Sequence, residues 1–74
     1  MNYYMATFDF TTMRGNELRA RSGQVVLQSE LLLDEFIEEP EVIKQLCVNF
    51  VLDRKPKWNI LMLDVKAVTK HKLK

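Results

Sequence analysis

The sequence predicts an α+β fold: a small antiparallel sheet in the order strand, strand, helix, strand, with one helix packed on one face. Three observations carry this. Apolar residues alternate with period two near both ends of the chain, helical spacing replaces that alternation in the middle, and two prolines bracket the helical stretch. Seventy-four residues suffice for one small domain, because a chain this short cannot divide its apolar residues between two cores. Residues 1–74 are therefore read as a single domain, with 69–74 as a flexible basic tail.

In the first alternating segment, residues 3–12, Tyr4, Ala6, Phe8 and Phe10 share one face, and Tyr3, Met5, Thr7, Asp9 and Thr11 the other. That is the pattern of a half-buried strand with an aromatic core face. Met13-Arg14-Gly15-Asn16 then offers a glycine able to take positive φ beside a turn-tolerant asparagine, so a hairpin is expected. The returning strand, about 17–28, carries Leu18, Ala20 and Val26 in one parity and Val25 and Leu27 in the other, with Gly23 between the sets. A bulge at Ser22-Gly23 would turn both sets inward; without one, one set faces out.

From Ser29, a candidate cap, Leu32, Leu33, Phe36 and Ile37 fall at helical spacing until Pro40 interrupts them. A longer helix is predicted from Pro40, which suits a first helical turn, toward Asp53, with Val42, Ile43, Leu46, Cys47, Phe50 and Val51 on one side. Pro56 stops it. The competing reading makes 47–52 a strand, since β-branched and aromatic residues are dense there. Residues 58–68 alternate again, with Leu61, Leu63, Val65 and Ala67 facing in and Ile60, Met62, Asp64 and Lys66 facing out.

With its opening strand YYMATFDF and closing strand NILMLDVKAV, the chain resembles short phage- and prophage-encoded proteins of strand-strand-helix-strand pattern. The resemblance implies a mobile-element accessory protein, a class that acts largely by binding host or viral proteins.

Composition narrows the function classes. The overall charge of +1 conceals a division: residues 1–53 hold four basic and nine acidic side chains, whereas 54–74 hold seven basic residues against Asp64 alone. Part of this follows helix polarity, with Glu38, Glu39 and Glu41 at the start of the predicted helix and Arg54, Lys55 and Lys57 at its end. Cys47 is the lone cysteine, so no intrachain disulfide can form and a reducing, cytoplasmic setting is expected. The first ten residues lack the basic start, apolar core and cleavage site of a secretory signal. No apolar stretch is long enough to cross a bilayer, and the acidic 30–41 region would be repelled by anionic lipid.

Catalytic candidates are few. His71 sits at the chain end, Cys47 is expected to be a buried small hydrophobe, and one of each cannot complete a zinc site. The acidic residues from Glu30 to Glu41 lack the ligand spacing of a calcium loop. Neither glycine belongs to a phosphate-cradling motif. The sequence thus predicts no enzyme, no metal and no cofactor.

Two binding readings remain. The first is a protein interface on the outer sheet face formed by Tyr3, Met5, Ile60 and Met62, with Trp58 at its rim. It would serve a homodimer or an unidentified host or viral protein, and the open sheet edges would admit an added strand. A chain this small, with no staple, gains most from such association. The second is a nucleic-acid contact through Arg19, Arg21, Lys55, Lys57, Lys70 and Lys72, with Trp58 as a stacking aromatic.

Overall fold

Strand β1 (Asn2–Arg14) occupies the centre of a three-stranded sheet, between β2 (Glu17–Ser29) and β3 (Asn59–Lys70). Both neighbours pair with it antiparallel, so β2 and β3 run parallel to each other on opposite sides of β1. The link between them must cross β1, and it carries two helices, α1 (Leu33–Phe36) and α2 (Pro40–Arg54), onto one face of the sheet. The computed structural model describes residues 1–72. The predicted α+β class and the order strand, strand, helix, strand along the chain hold, with the one-turn α1 added ahead of the main helix, and the segment 47–52 is helical.

The alternation of β1 becomes its burial: Tyr4, Ala6, Phe8, Phe10 and Thr12 are buried beneath the helices. Ile43, Cys47 and Val51, at i, i+4 and i+8 of α2, meet them from above. Val42, assigned to the buried side by its spacing, lies half-exposed on the flank of α2 instead. Tyr4 stacks on Phe36 at 4.8 Å between centroids. Its buried hydroxyl donates to the Leu31 carbonyl, so the one-turn α1 is pinned by both an aromatic and a polar contact. Ser29 caps no helix; it belongs to β2, and its Oγ accepts the Leu31 N–H at 3.1 Å.

The hairpin closes through Gly15-Asn16, with Arg14 paired to Glu17. Gly15 has φ of +62°, and it alone among the described residues is positive, the signature of a type II′ turn with glycine first.

The expected bulge at Ser22-Gly23 is absent: β1 and β2 stay in one register from Asn2–Ser29 to Arg14–Glu17. Val25 and Leu27 therefore face the core, while Leu18, Ala20 and Val26 face outward. Gly23 serves a different purpose. It lies opposite Phe8, and a Cβ there would come within 2.9 Å of the Phe8 ring. The missing side chain leaves room for an aromatic ring.

Irregularity lies instead in β3, whose register against β1 shifts between Thr7 and Phe8 and again between Thr11 and Thr12. Lys66 and Leu61 are the extra residues, and each shift reverses parity. The inward set becomes Ile60, Leu63, Val65 and Val68. Leu61 and Ala67, expected inside, are exposed. Thr69 and Lys70, expected in a loose tail, extend β3, and the His71 amide donates to the Tyr3 carbonyl at 2.9 Å. Residues 73–74 of that expected tail lie outside the described residues.

Gly23→Ala should destabilise the domain by about 1–3 kcal/mol, because the buried Phe8 ring must shift from its packed position to admit the added methyl group. Urea unfolding followed by Trp58 fluorescence would measure this, and adding Phe8→Leu should recover part of the loss.

Candidate interaction surfaces

Helices cover one sheet face only, and they do not cover all of it. Thirteen-residue strands reach about 44 Å, whereas the fifteen residues of α2 reach about 22 Å. The molecule is accordingly long and thin, 41 × 24 × 14 Å. Two surfaces follow: the outer face of the sheet, and the inner face of the hairpin where it runs past the end of α2.

On the outer face, β1 presents Tyr3, Met5, Thr7, Asp9, Thr11 and Met13. The predicted interface residues are not contiguous there. Tyr3 and Met5 lie toward one end, with Val26 beside Met5. Met62 pairs with Thr11, six residues or about 20 Å farther along β1. Between them Asp9 faces Asp64 across the strands, and Asp64 is held below its ordinary pKa by the hydrogen bond and charge of Lys66, 2.8 Å away. This acidic midline divides the face. Ile60, expected beside Met62, turns to the opposite face with its partner Thr12, and Trp58 also packs inward, its ring 6.1 Å from that of Phe10.

Sequence reasoning missed the partners that Met62 does have. Met13 and Leu18, directly opposite each other at the hairpin end, share its side of the sheet. Leu18 is 58% and Met62 67% exposed. The parity of Leu18 could be read only once Gly23 was known not to shift the register.

At the same end, the inner face is basic. Arg14, Arg19 and Arg21 continue the parity of Thr12 and Phe10 past the helix. Pro56 ends α2, and the residue before it, Lys55, leaves helical geometry with ψ of 73°. A turn closed by the Trp58 amide on the Lys55 carbonyl, at 3.1 Å, then brings Lys55, Lys57 and Trp58 to these arginines. Arg21 lies 4.1 Å from the Trp58 ring centroid, and Lys55 lies 5.7 Å from it. Four of the six predicted nucleic-acid contacts thus converge, joined by Arg14 and Arg54. Lys70 pairs with Tyr4 at the far end of the sheet and, with Lys72, stands apart. The division of charge seen along the sequence becomes a polarity along the long axis, drawing cations from both halves of the chain.

His71 and Cys47 form no constellation, since one adjoins Tyr3 at the sheet end and the other lies buried beneath α2. Among the described residues no three histidine, cysteine or acidic side chains gather as metal ligands, and no helix is long and apolar enough to cross a membrane. Comparison with known proteins found no matching family model, curated protein or solved structure.

Burial pushes the Cys47 thiol up to about 11, so it stays protonated and unreactive at neutral pH. Because this pKa is raised above its unfolded value, the associated stability is complete below about pH 8.5 and is lost as pH climbs toward the folded pKa. The urea midpoint of the wild type should fall more steeply between these limits than that of Cys47→Ala. A thiol reagent at neutral pH should label Cys47 only on unfolding.

Proposed function

We propose that this chain is a small non-enzymatic interaction protein that acts in the cytoplasm as a homodimer, joined through the uncovered sheet face at the hairpin end. The observation that carries the proposal is an apolar group, the exposed Leu18 and Met62 with the half-buried Met13 on the same side, on a sheet with one face bare. The chain exposes 5693 Å², about a fifth more than the ~4,700 Å² that area scaling gives for a folded chain of 8.7 kDa. That excess, about 1,000 Å², is comparable to the ~800 Å² each partner contributes to a standard interface.

The Asp9–Asp64 midline sets the geometry. Stacking two faces along their full length about a central two-fold axis would bury two Asp9 carboxylates and two Asp64–Lys66 ion pairs, at a desolvation cost that methionine contacts would not offset. An axis near Met13 keeps those carboxylates in water. Methionine, unbranched and polarisable, adapts to its own copy as readily as to another partner. The resemblance to phage and prophage proteins supports a role of this kind, in which binding rather than chemistry is the output.

Sedimentation velocity from low micromolar to submillimolar concentration should show a reversible dimer. Leu18→Asp with Met62→Asp should weaken it at least about tenfold, roughly 1.4 kcal/mol or more, while leaving the circular dichroism of the fold unchanged. A strict monomer throughout, or a dimer indifferent to both aspartates, would sink the proposal. A wild-type monomer that instead captures a different protein through these residues would reassign the face to that partner.

A further inference from the structure

We propose that the basic cleft on the inner face of the hairpin end binds the phosphodiester backbone of single-stranded nucleic acid, without reading its bases. This site lies on the sheet face opposite the proposed dimer contact and does not depend on it.

The cleft is about 500 Å³ in volume and is lined by Thr12, Arg14, Arg19, Arg21, Lys57 and Trp58, together with Met13 and Glu17. A second hollow of about 200 Å³ also borders Trp58; its lining is mainly apolar, Phe8, Phe10, Phe50 and Val51, with Arg54 and Lys55 among its residues. The cations therefore form a track past the indole. A track suits an extended chain carrying a charge at each unit better than one small anion.

Arg21 is the anchor. Its Nε donates to the Thr12 hydroxyl at 3.0 Å, and its guanidinium lies over Trp58. Both contacts fix the plane of the group while leaving its two terminal nitrogens without another hydrogen bond among the described residues. A guanidinium held this way has lost its rotamer freedom before a ligand arrives, and its remaining donors match a phosphate fork. Arg54 is likewise steadied over Phe50, at 4.8 Å. Asp9 and Asp64 share a hollow with Arg21 but face the outer side of the sheet, and the acids on the inner side are Glu17, which spends its charge on Arg19 at 3.1 Å, and Asp53 at the end of α2. Six cations against these two carboxylates leave an excess of four positive charges at this end.

The same geometry argues for backbone contact with a single strand. Arg21 and Lys55 already occupy Trp58, and the ring also packs against Phe10, so it is not a free platform for stacking a base. Arg21 sits within the concavity, where one strand can follow it but the wider, stiffer duplex cannot sink. The stacking role expected of Trp58 thus gives way to one in which the indole holds a phosphate-binding arginine.

The test is fluorescence anisotropy of a labelled oligo-dT and oligo-U, with a blunt DNA duplex and polyglutamate as competitors, in a salt series. Trp58 is the lone tryptophan and borders both hollows, so its emission should change on binding. For four phosphate contacts, raising salt from about 50 to 200 mM should weaken binding roughly fiftyfold. Arg21→Gln should cost at least about tenfold. Arg14→Gln with Lys57→Gln, both exposed and outside the core, should also weaken binding if Arg21→Gln disturbs folding, whereas Lys70→Gln with Lys72→Gln at the far end should not. No binding at low salt, binding indifferent to the cleft substitutions, or a duplex or polyglutamate competing as well as single strands would overturn the proposal.

Discussion

Every other element takes its position from β1, the one strand flanked on both sides. A central strand has no free edge, so its backbone groups are committed to β2 and β3, and its side chains alone decide which face is core. Tyr4, Ala6, Phe8, Phe10 and Thr12 make that decision. The crossover that links β2 to β3 must pass over this face, which places Phe36, Ile43, Cys47 and Val51 on top of it. The outer face is left bare for the same reason: one crossover supplies one layer.

The mismatch in length between strands and helix creates the second surface. Where α2 stops, the inward positions of β1 and β2 change from aromatic to polar and cationic, Thr12, Arg14, Arg19 and Arg21, because the helix no longer lies above to meet them. Trp58 stands at that boundary. Its body packs on Phe10 while its ring receives Arg21, so one residue both ends the core and begins the basic cleft. The hairpin end is consequently two-faced, with Met13 and Leu18 on one side and arginines on the other.

The sequence revealed much of this wherever structure is local. The alternation of β1, the turn at Gly15, the start of α2 at Pro40 and its stop before Pro56 each depend on neighbouring residues, and each was legible. What escaped was set by contacts across strands. Gly23 reads as a bulge within its own strand, yet its role comes from Phe8, fifteen residues earlier. In β3, Leu61 and Ala67 suit an inward position by chemistry, so the parity reversals at Leu61 and Lys66 leave no trace in the pattern. Ile60 was misplaced as a result, and the predicted interface lost its continuity. The basic cluster was partly visible: Arg19, Arg21, Lys55 and Lys57 can be grouped from the sequence, whereas Arg14 and Arg54 join them, and Lys70 and Lys72 separate from them, only after folding.

The two bulges in β3 also bear on what the sheet can become. A regular edge is a template for further strands, and a protein so rich in long strands risks open-ended growth. Along β3 the ladder is broken twice, so that side is blunted. The uninterrupted edge belongs to β2. Any strand added to this sheet would enter on the β2 side, with the bulged β3 closing the other. Lateral growth would stop there, and an irregular strand thereby acts as a terminator.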